Sequence, residues 1–390
     1  MKKEKLILHV VKKIKKIPSK KNIGGFMKME AYFPNNLSNR IKVKEEKFVD
    51  LIMNIKLELG RLDGAIKHNF LKTIVKAFLR AEETLASASL EFSELSFEEY
   101  IEKLLDKGYG ADDLNEIRFM VDYYEEFSKR VQERGFSIDS LNNFQQALLN
   151  NRRKRTVTRE QLLRRRQPWL YEAIIKQKKY DMRLYAYPDE EKINSLMENL
   201  NNFINNNRMD PLITVAITYG QLAMIHPWRY ANGRTTGALI PFLFNQLGLT
   251  RERSFYLSSA FCKNKKEYFS KLVNLFQKGK WDEWVQYFLE KVYNQVISGQ
   301  KKIDHLMDYC RYVKAQQLKN SFSRQTLFCA DKMLSHPVFT IGKIEKNFGF
   351  NKSTVLIYVN YLLEAGILIK DNRKRNVNFI FKEVFEIMDF

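Results

Sequence analysis

Most of the apolar positions in this chain recur with helical spacing. Tyr32-Phe33-Pro34 opens a long region of this kind, in which Leu51, Ile52, Ile55, Leu59 and Leu62 keep a period near 3.6. Phe70 to Leu95 continues the pattern, and Phe97 to Lys107, Asp113 to Arg134 and Ile138 to Leu149 predict further helices. Glu190 to Asn206 is amphipathic. Asp210-Pro211 then opens another helix with an N-cap and a proline at its first position. Its apolar run, Leu212 to Met224, stops at His226-Pro227, because a proline restricts the residue before it and ends the helix. Ala238 to Leu247 is a new apolar run of helical length. A period of two is rare here. Tyr180 to Pro188 is short, Tyr-rich and closed by a proline, as a strand or hairpin would be.

The last ninety or so residues follow a different plan. A helical linker, 301–319, leads to a helix over Phe322 to Leu334. Thr340 caps Ile341 to Phe348, and Gly349 makes the turn. Asn351-Lys352-Ser353-Thr354 opens a third helix, Val355 to Glu364, closed by Gly366. Two strand-like runs, Ile367 to Ile369 and Val377 to Phe381, flank a basic loop from Lys370 to Asn376. The pattern thus predicts a mainly α protein with little β structure.

At 390 residues the prior is two or three domains, and 45% apolar residues suffice for their cores. The net charge of +21 changes the picture, since it predicts affinity for something acidic: nucleic acid, an anionic membrane surface or an acidic protein. The charge is clustered in a lysine-rich stretch over residues 1–28, in Arg152 to Arg166, and in Lys370, Arg373, Lys374 and Arg375. The three cysteines, Cys262, Cys310 and Cys329, stand far apart, which indicates neither a zinc site nor a disulfide framework. There is no apolar run of about 18 residues, so no membrane-spanning helix is expected. Leu6 to Val11 is too short for a signal-peptide core, and a cytoplasmic location follows.

The candidate chemistry lies between two predicted helices, in the loop from Met224 to Gly237. Asn232 is a favoured N-cap, and Gly233 lets the backbone come close to a ligand. A helix starting there aims its free N–H groups and positive dipole end at the loop, and Arg234 adds a fork of donors suited to phosphate. His226 lies at the mouth of the same loop, where a histidine facing a phosphate acts as a general base. No metal-ligand set is evident.

His226, Pro227, Asn232, Gly233 and Arg234, with Trp228 near-matching a Phe, resemble the signature of the Fic family, His-Pro-Phe-x-Asp/Glu-Gly-Asn-Gly-Arg-x-x-Arg. The resemblance covers about two thirds of the chain, from about residue 30 to 297. It implies a helical domain with a small β-hairpin flap. It also implies transfer of AMP from ATP to a Ser, Thr or Tyr hydroxyl of a target protein, with His226 as the base and Asn232, Gly233 and Arg234 as the phosphate cradle. Three positions depart from the signature. Tyr230 replaces the acidic Mg²⁺ ligand, and a phenol with a pKa of about 10 cannot supply that charge. Ala231 replaces the first Gly, which costs about 1–2 kcal/mol if the position needs positive φ. Gly237 replaces the last Arg, which in the family contacts nucleotide phosphates.

Upstream, Ser87 and Glu91 match the Ser/Thr-x-x-x-Glu pattern of a regulatory helix found in many Fic proteins, although Phe92 departs from its Gly/Asn. In that family the Glu pairs with the last Arg of the signature, which here is Gly237. The 180–188 segment is similar to the family's flap, with Arg183, Leu184 and Tyr185 as target-binding positions after Asp181 and Met182. The C-terminal unit resembles a winged helix-turn-helix. Lys352, Ser353 and Thr354 would then enter a DNA major groove, and Arg373, Lys374 and Arg375 would contact phosphates. These readings divide the chain into a basic tail (1–28), an N-terminal helical region (29–150), a Fic-like core (151–297) and a linker with a winged-helix domain (298–390). Three functions remain open. One is a Fic-type nucleotidyltransferase with an altered site. Another is a catalytically impaired scaffold that regulates by binding DNA or protein. The third transfers a different phosphoryl group. The oligomeric state is open between monomer and homodimer.

Overall fold

The computed structural model describes residues 37, 41, 43–67, 72–91, six positions between 119 and 133, 137–153, 163, 169–171, 183–251, 253, 255–318, 329, 332–336, 338–371 and 373–383. The basic tail, the predicted helix Phe97 to Lys107, Phe92, Asp181 and Met182 lie outside them.

Helices dominate. A 3-10 turn over Glu45–Phe48 leads into α1, Val49–Lys67, which buries the predicted Ile52, Ile55, Leu59 and Leu62 together with Ile66. Helix α2, Lys72–Glu91, is nearly enclosed from Ala81 onward. Helix α3, Ile138–Arg153, follows, then strands β1, Trp169–Tyr171, and β2, Arg183–Ala186. The two strands form an antiparallel ribbon, with Trp169 opposite Ala186 and Leu170 opposite Tyr185. The partner of β2 is therefore the Trp169 segment, not a strand within 180–188.

Helix α4, Glu190–Asn206, has the amphipathic limits read from the sequence. Helix α5, Pro211–Ile225, starts as the Asp-Pro pair demands: the Asp210 carboxylate accepts from the Leu212 N–H at 2.9 Å. It is buried on almost every face and forms the axis of the fold. Helix α6, Asn232–Gln246, follows the candidate loop, with α7, Ser258–Cys262, and α8, Lys265–Lys278, beyond it. Helix α9, Trp281–Leu318, is one 38-residue rod. It runs unbroken through 297–301, where the sequence placed the edge of the core and the start of a separate linker. The glycine there, Gly299, faces Leu62 of α1, so packing continues along the rod. The α5–α9 crossing is close because Gly220 has no side chain: a Cβ there would lie 2.8 Å from both Leu275 and Trp284. Trp284 Nε1 donates to the Ala216 carbonyl at 2.8 Å. Trp281 and Trp284 are core residues, as their spacing suggests.

Beyond α9 come β3, Val338–Phe339, α10, Ile341–Phe348, α11, Lys352–Glu364, β4, Leu368–Lys370, and β5, Phe379–Phe381. Thr340 and Asn351 cap the two helices, and Gly349 takes positive φ between them. The sheet order is β3-β5-β4, antiparallel throughout. Ile344, Val355, Tyr358, Leu362, Phe339 and Ile380 close a small core beneath it.

Candidate functional site

The loop between α5 and α6 is shaped by its own side chains. His226 caps α5 in the left-handed region, φ 47° and ψ 57°, with its N–H donating to the Leu222 carbonyl at 3.0 Å. Pro227 and Trp228 then turn inward and are buried. The Trp228 indole N–H donates to Asn142 Oδ1 at 3.0 Å, and its backbone bridges to Leu163. Asn232 clasps this turn from both sides. Its Oδ1 accepts from the Trp228 N–H at 3.0 Å, and its Nδ2 donates to the Trp228 carbonyl at 2.8 Å.

The sequence expected Asn232 as the N-cap, and the structure corrects this. Asn232 is the first residue of α6, and the N-cap is Ala231, with φ 53°. The Asn232 amide is used up on Trp228, so no side chain caps the helix. Ala231 is thus in the conformation that disfavours a Cβ, and the cost anticipated for replacing the family's Gly is incurred. An uncapped helix start leaves its first-turn N–H groups without intrahelical acceptors, directed at the loop that His226 opens. That is the geometry of an anion site.

Helix α3 holds the loop from behind, through residues the motif search missed. Gln145 is fully buried; its Nε2 donates to the Tyr230 carbonyl, and its Oε1 lies 2.6 Å from the Thr235 hydroxyl. Thr235 also faces the Ala231 carbonyl at 2.8 Å, so its single proton is shared between two acceptors. The Tyr187 ring lies 4.3 Å from the His226 ring, tilted 31°, and so fixes one face of the imidazole just beyond β2. A polar residue at an inward helical position, as Gln145 is among Leu141, Phe144 and Leu148, is the one sequence signal that could have found the first contact.

Arg234 is 3% exposed, so it acts from inside the fold. Tyr230 is 42% exposed, with the Arg229 guanidinium 5.5 Å from its ring centre. It puts a phenol where a hard divalent cation would want a carboxylate, so the residues present do not fit the family's Mg²⁺ ligand. Among the described residues, no group of three or more His, Cys, Asp or Glu is placed to hold a metal.

Gly237 is not an open slot. A Cβ there would run into Glu83 Oε1 and come within 2.8 Å of Ser258 Oγ and 3.5 Å of the Ser87 Cβ. Glu83 is buried and accepts from the Ser258 hydroxyl at 2.5 Å and the Ser258 N–H at 3.1 Å. Burial pushes its carboxyl up to about 8, against which the Ser258 hydrogen bonds pull only partly. Next to it, Glu82 forms a buried ion pair with Lys302 of α9. Of the two regulatory candidates, Ser87 therefore lies against Gly237, donating to the Thr84 carbonyl at 3.2 Å. Glu91 is the last residue of α2. The acid facing position 237 is Glu83, two helical turns earlier, which no motif singled out.

Arg183, Leu184 and Tyr185 lie in β2. In the C-terminal unit, Lys352 and Ser353 are exposed at the start of α11. Thr354 is nearly buried, its hydroxyl donating to Asn351 Oδ1 at 2.7 Å. Lys374 and Arg375 are exposed at the β4–β5 turn. Arg373 pairs with the buried Asp371 at 2.9 Å, and Asp371 also accepts from Asn378 Nδ2. These residues are well separated in sequence from the loop. No helix among the described residues is long and apolar enough to cross a membrane.

The chain is similar to the structure of a Fic family protein from Desulfovibrio desulfuricans G20, with 14% identity, 86% of this chain and 95% of that chain covered, and a TM-score of 0.49. It is also similar to a Fic domain containing signaling protein from Bacteroides thetaiotaomicron VPI-5482 (14% identity, 65% and 98% covered, TM-score 0.45). A third similar structure is Fic-1, residues 134–508, from C. elegans (18% identity, 70% and 76% covered, TM-score 0.42). Independently, the sequence model of the Fic/DOC family matches residues 135–244. That span takes in α3, the ribbon, α4, α5 and most of α6, the elements that build and hold the loop, and over it the chain is similar to the Fic/DOC family.

Proposed function

We propose that this protein transfers AMP from ATP to a hydroxyl of a target protein, with His226 as general base. The family transfers nucleotide or phosphate-containing groups to proteins. The observation that carries the reading is the uncapped start of α6 opening onto the loop that His226 begins. In this scheme His226 takes the proton of the target hydroxyl, whose oxygen forms a bond to the α-phosphorus of ATP. The bond to the bridging oxygen breaks and pyrophosphate leaves. The N–H groups of Asn232, Gly233 and Arg234, with the positive end of the α6 dipole, stabilise the charge that builds on the phosphate oxygens. Tyr187 keeps the imidazole in place. Strand β2 has one neighbour, β1, among the described strands, and its other edge can take an extended target segment by strand addition through Arg183, Leu184 and Tyr185.

A specific observation favours a second reading, a scaffold with a disabled site. Position 230 lacks the acid, and position 237 is packed against Glu83 where the family carries a cation. The C-terminal unit would then carry the function as a winged helix on duplex DNA, with Lys352 and Ser353 at the groove and Lys374 and Arg375 on phosphates. Ile357, exposed midway along α11, suits a thymine methyl or an apolar protein contact.

Incubation of the purified chain and a cell lysate with α-labelled ATP separates the two. Label on protein that disappears in His226→Ala supports the transferase. No label with any divalent cation, together with His226→Ala retaining the biological effect while Lys352→Ala loses it, supports the scaffold.

A further inference from the structure

Helix α1 has an outer face that its own fold leaves bare. Val49 is 49% exposed, Met53 65% and Leu57 55%. Among the described residues the exposed large apolar side chains are these three with Tyr230, Tyr312 and Ile357, so half of them share one helix. Their spacing of four puts them in one stripe, opposite the buried Ile52, Ile55, Leu59 and Leu62. Gly60 and Gly64 extend the same stripe, and a Cβ built on either meets nothing within 4 Å. The face is therefore bulky in its first half and flat in its second, with Leu57 near the middle.

We propose that this face binds a second copy of the chain, α1 against α1, antiparallel about a two-fold axis near Leu57. The stripe is complementary to itself in that orientation alone. Met53 of one copy then lies over Gly60 of the other, Val49 over Gly64, and the Leu57 side chains meet at the axis. A parallel pairing sets bulk against bulk and gap against gap. The charges agree. Asp50 lies in the first turn and Arg61 in the second half of α1, both exposed and on the same flank of the stripe. The two-fold brings Asp50 of each copy within about one helical turn of Arg61 of the other, and it does so twice. In a parallel pair Asp50 would lie level with Asp50 and Arg61 with Arg61, on opposite flanks, so the opposite charges would not meet. Arg61 pairs with Glu58 of its own helix at 2.5 Å, and the contact across the two-fold exchanges that partner for Asp50 of the other copy. One pair of helix faces is a small interface, so the dimer is reversible and depends on concentration.

Sedimentation velocity of the full chain across a concentration series tests this. The wild type is expected to pass reversibly from monomer to dimer. Gly60→Leu fills the gap that receives Met53, and its Cβ meets nothing within 4 Å in its own chain. It should keep or raise the thermal midpoint, since leucine is the better helix former, yet weaken the dimer about tenfold or more. Leu57→Asp should weaken it similarly. Asp50→Arg and Arg61→Asp should each weaken association, and the double exchange should restore it. A chain that stays monomeric at every concentration overturns the proposal. So does a dimer unaffected by Gly60→Leu and Leu57→Asp, since its interface then lies elsewhere.

Discussion

Asn232 does by itself what a signature motif records only as a letter: it ties the Trp228 N–H and carbonyl together and so fixes the path of the loop. Asn232→Ala would leave both groups in a buried turn without that partner, a cost of about 1–3 kcal/mol. A lowered denaturation midpoint together with lost transferase activity is the expected outcome. Ala231→Gly should act oppositely, stabilising by about 1 kcal/mol because φ 53° suits a residue without a Cβ. Glu83 gives a pH signature. Its carboxyl is held at about 8 by burial, against an ordinary carboxyl value of 4.5. Between these values the folded chain keeps a proton that the unfolded chain has lost, so stability is greatest at acid pH and falls as pH rises through that window, by about 1.4 kcal/mol per unit at most. Thermal midpoints measured from pH 5 to 8, about the width of that window, should fall more steeply for the wild type than for Glu83→Gln.

At the scale of elements, the contact that matters is α2 against α6 and α7. Gly237 allows it, since Glu83 and Ser258 fill the space its side chain would need. Gly237→Ala should destabilise by about 1–3 kcal/mol through overpacking, measured by denaturant unfolding. Restoring the family motif with Tyr230→Asp and Gly237→Arg should therefore misfold or stay inactive unless Glu83→Ala accompanies it. A calorimetric comparison of the double and triple variants checks this. The α3 helix is the second such element. Gln145 and Asn142 anchor the loop at Tyr230 and Trp228, so the site is a product of three helices rather than of one loop.

On the scale of the whole molecule, the net charge of +21 and the exposed Lys352, Lys374 and Arg375 predict salt-sensitive association with polyanions. If the duplex is bound through the C-terminal unit, Lys374→Ala with Arg375→Ala should lower the slope of log affinity against log salt by about two in a filter-binding series. Asp371→Ala should loosen the β4–β5 turn by freeing Arg373 and Asn378. Local signals were enough for the strongly periodic α4 and for α5, α10 and α11, whose caps Asp210, Thr340 and Asn351 stand in the sequence. The loop that joins α5 to α6 was legible too, because Pro227 ends the helix before it whatever surrounds it. Only the tertiary structure decided that Asn232 would spend its amide on Trp228, that Gln145 and Tyr187 would support the loop and its histidine, and that Glu83 would face Gly237. Each of these pairs residues separated in sequence, from 4 positions for Asn232 and Trp228 to 154 for Glu83 and Gly237. Such partners are chosen by packing, which periodicity does not encode.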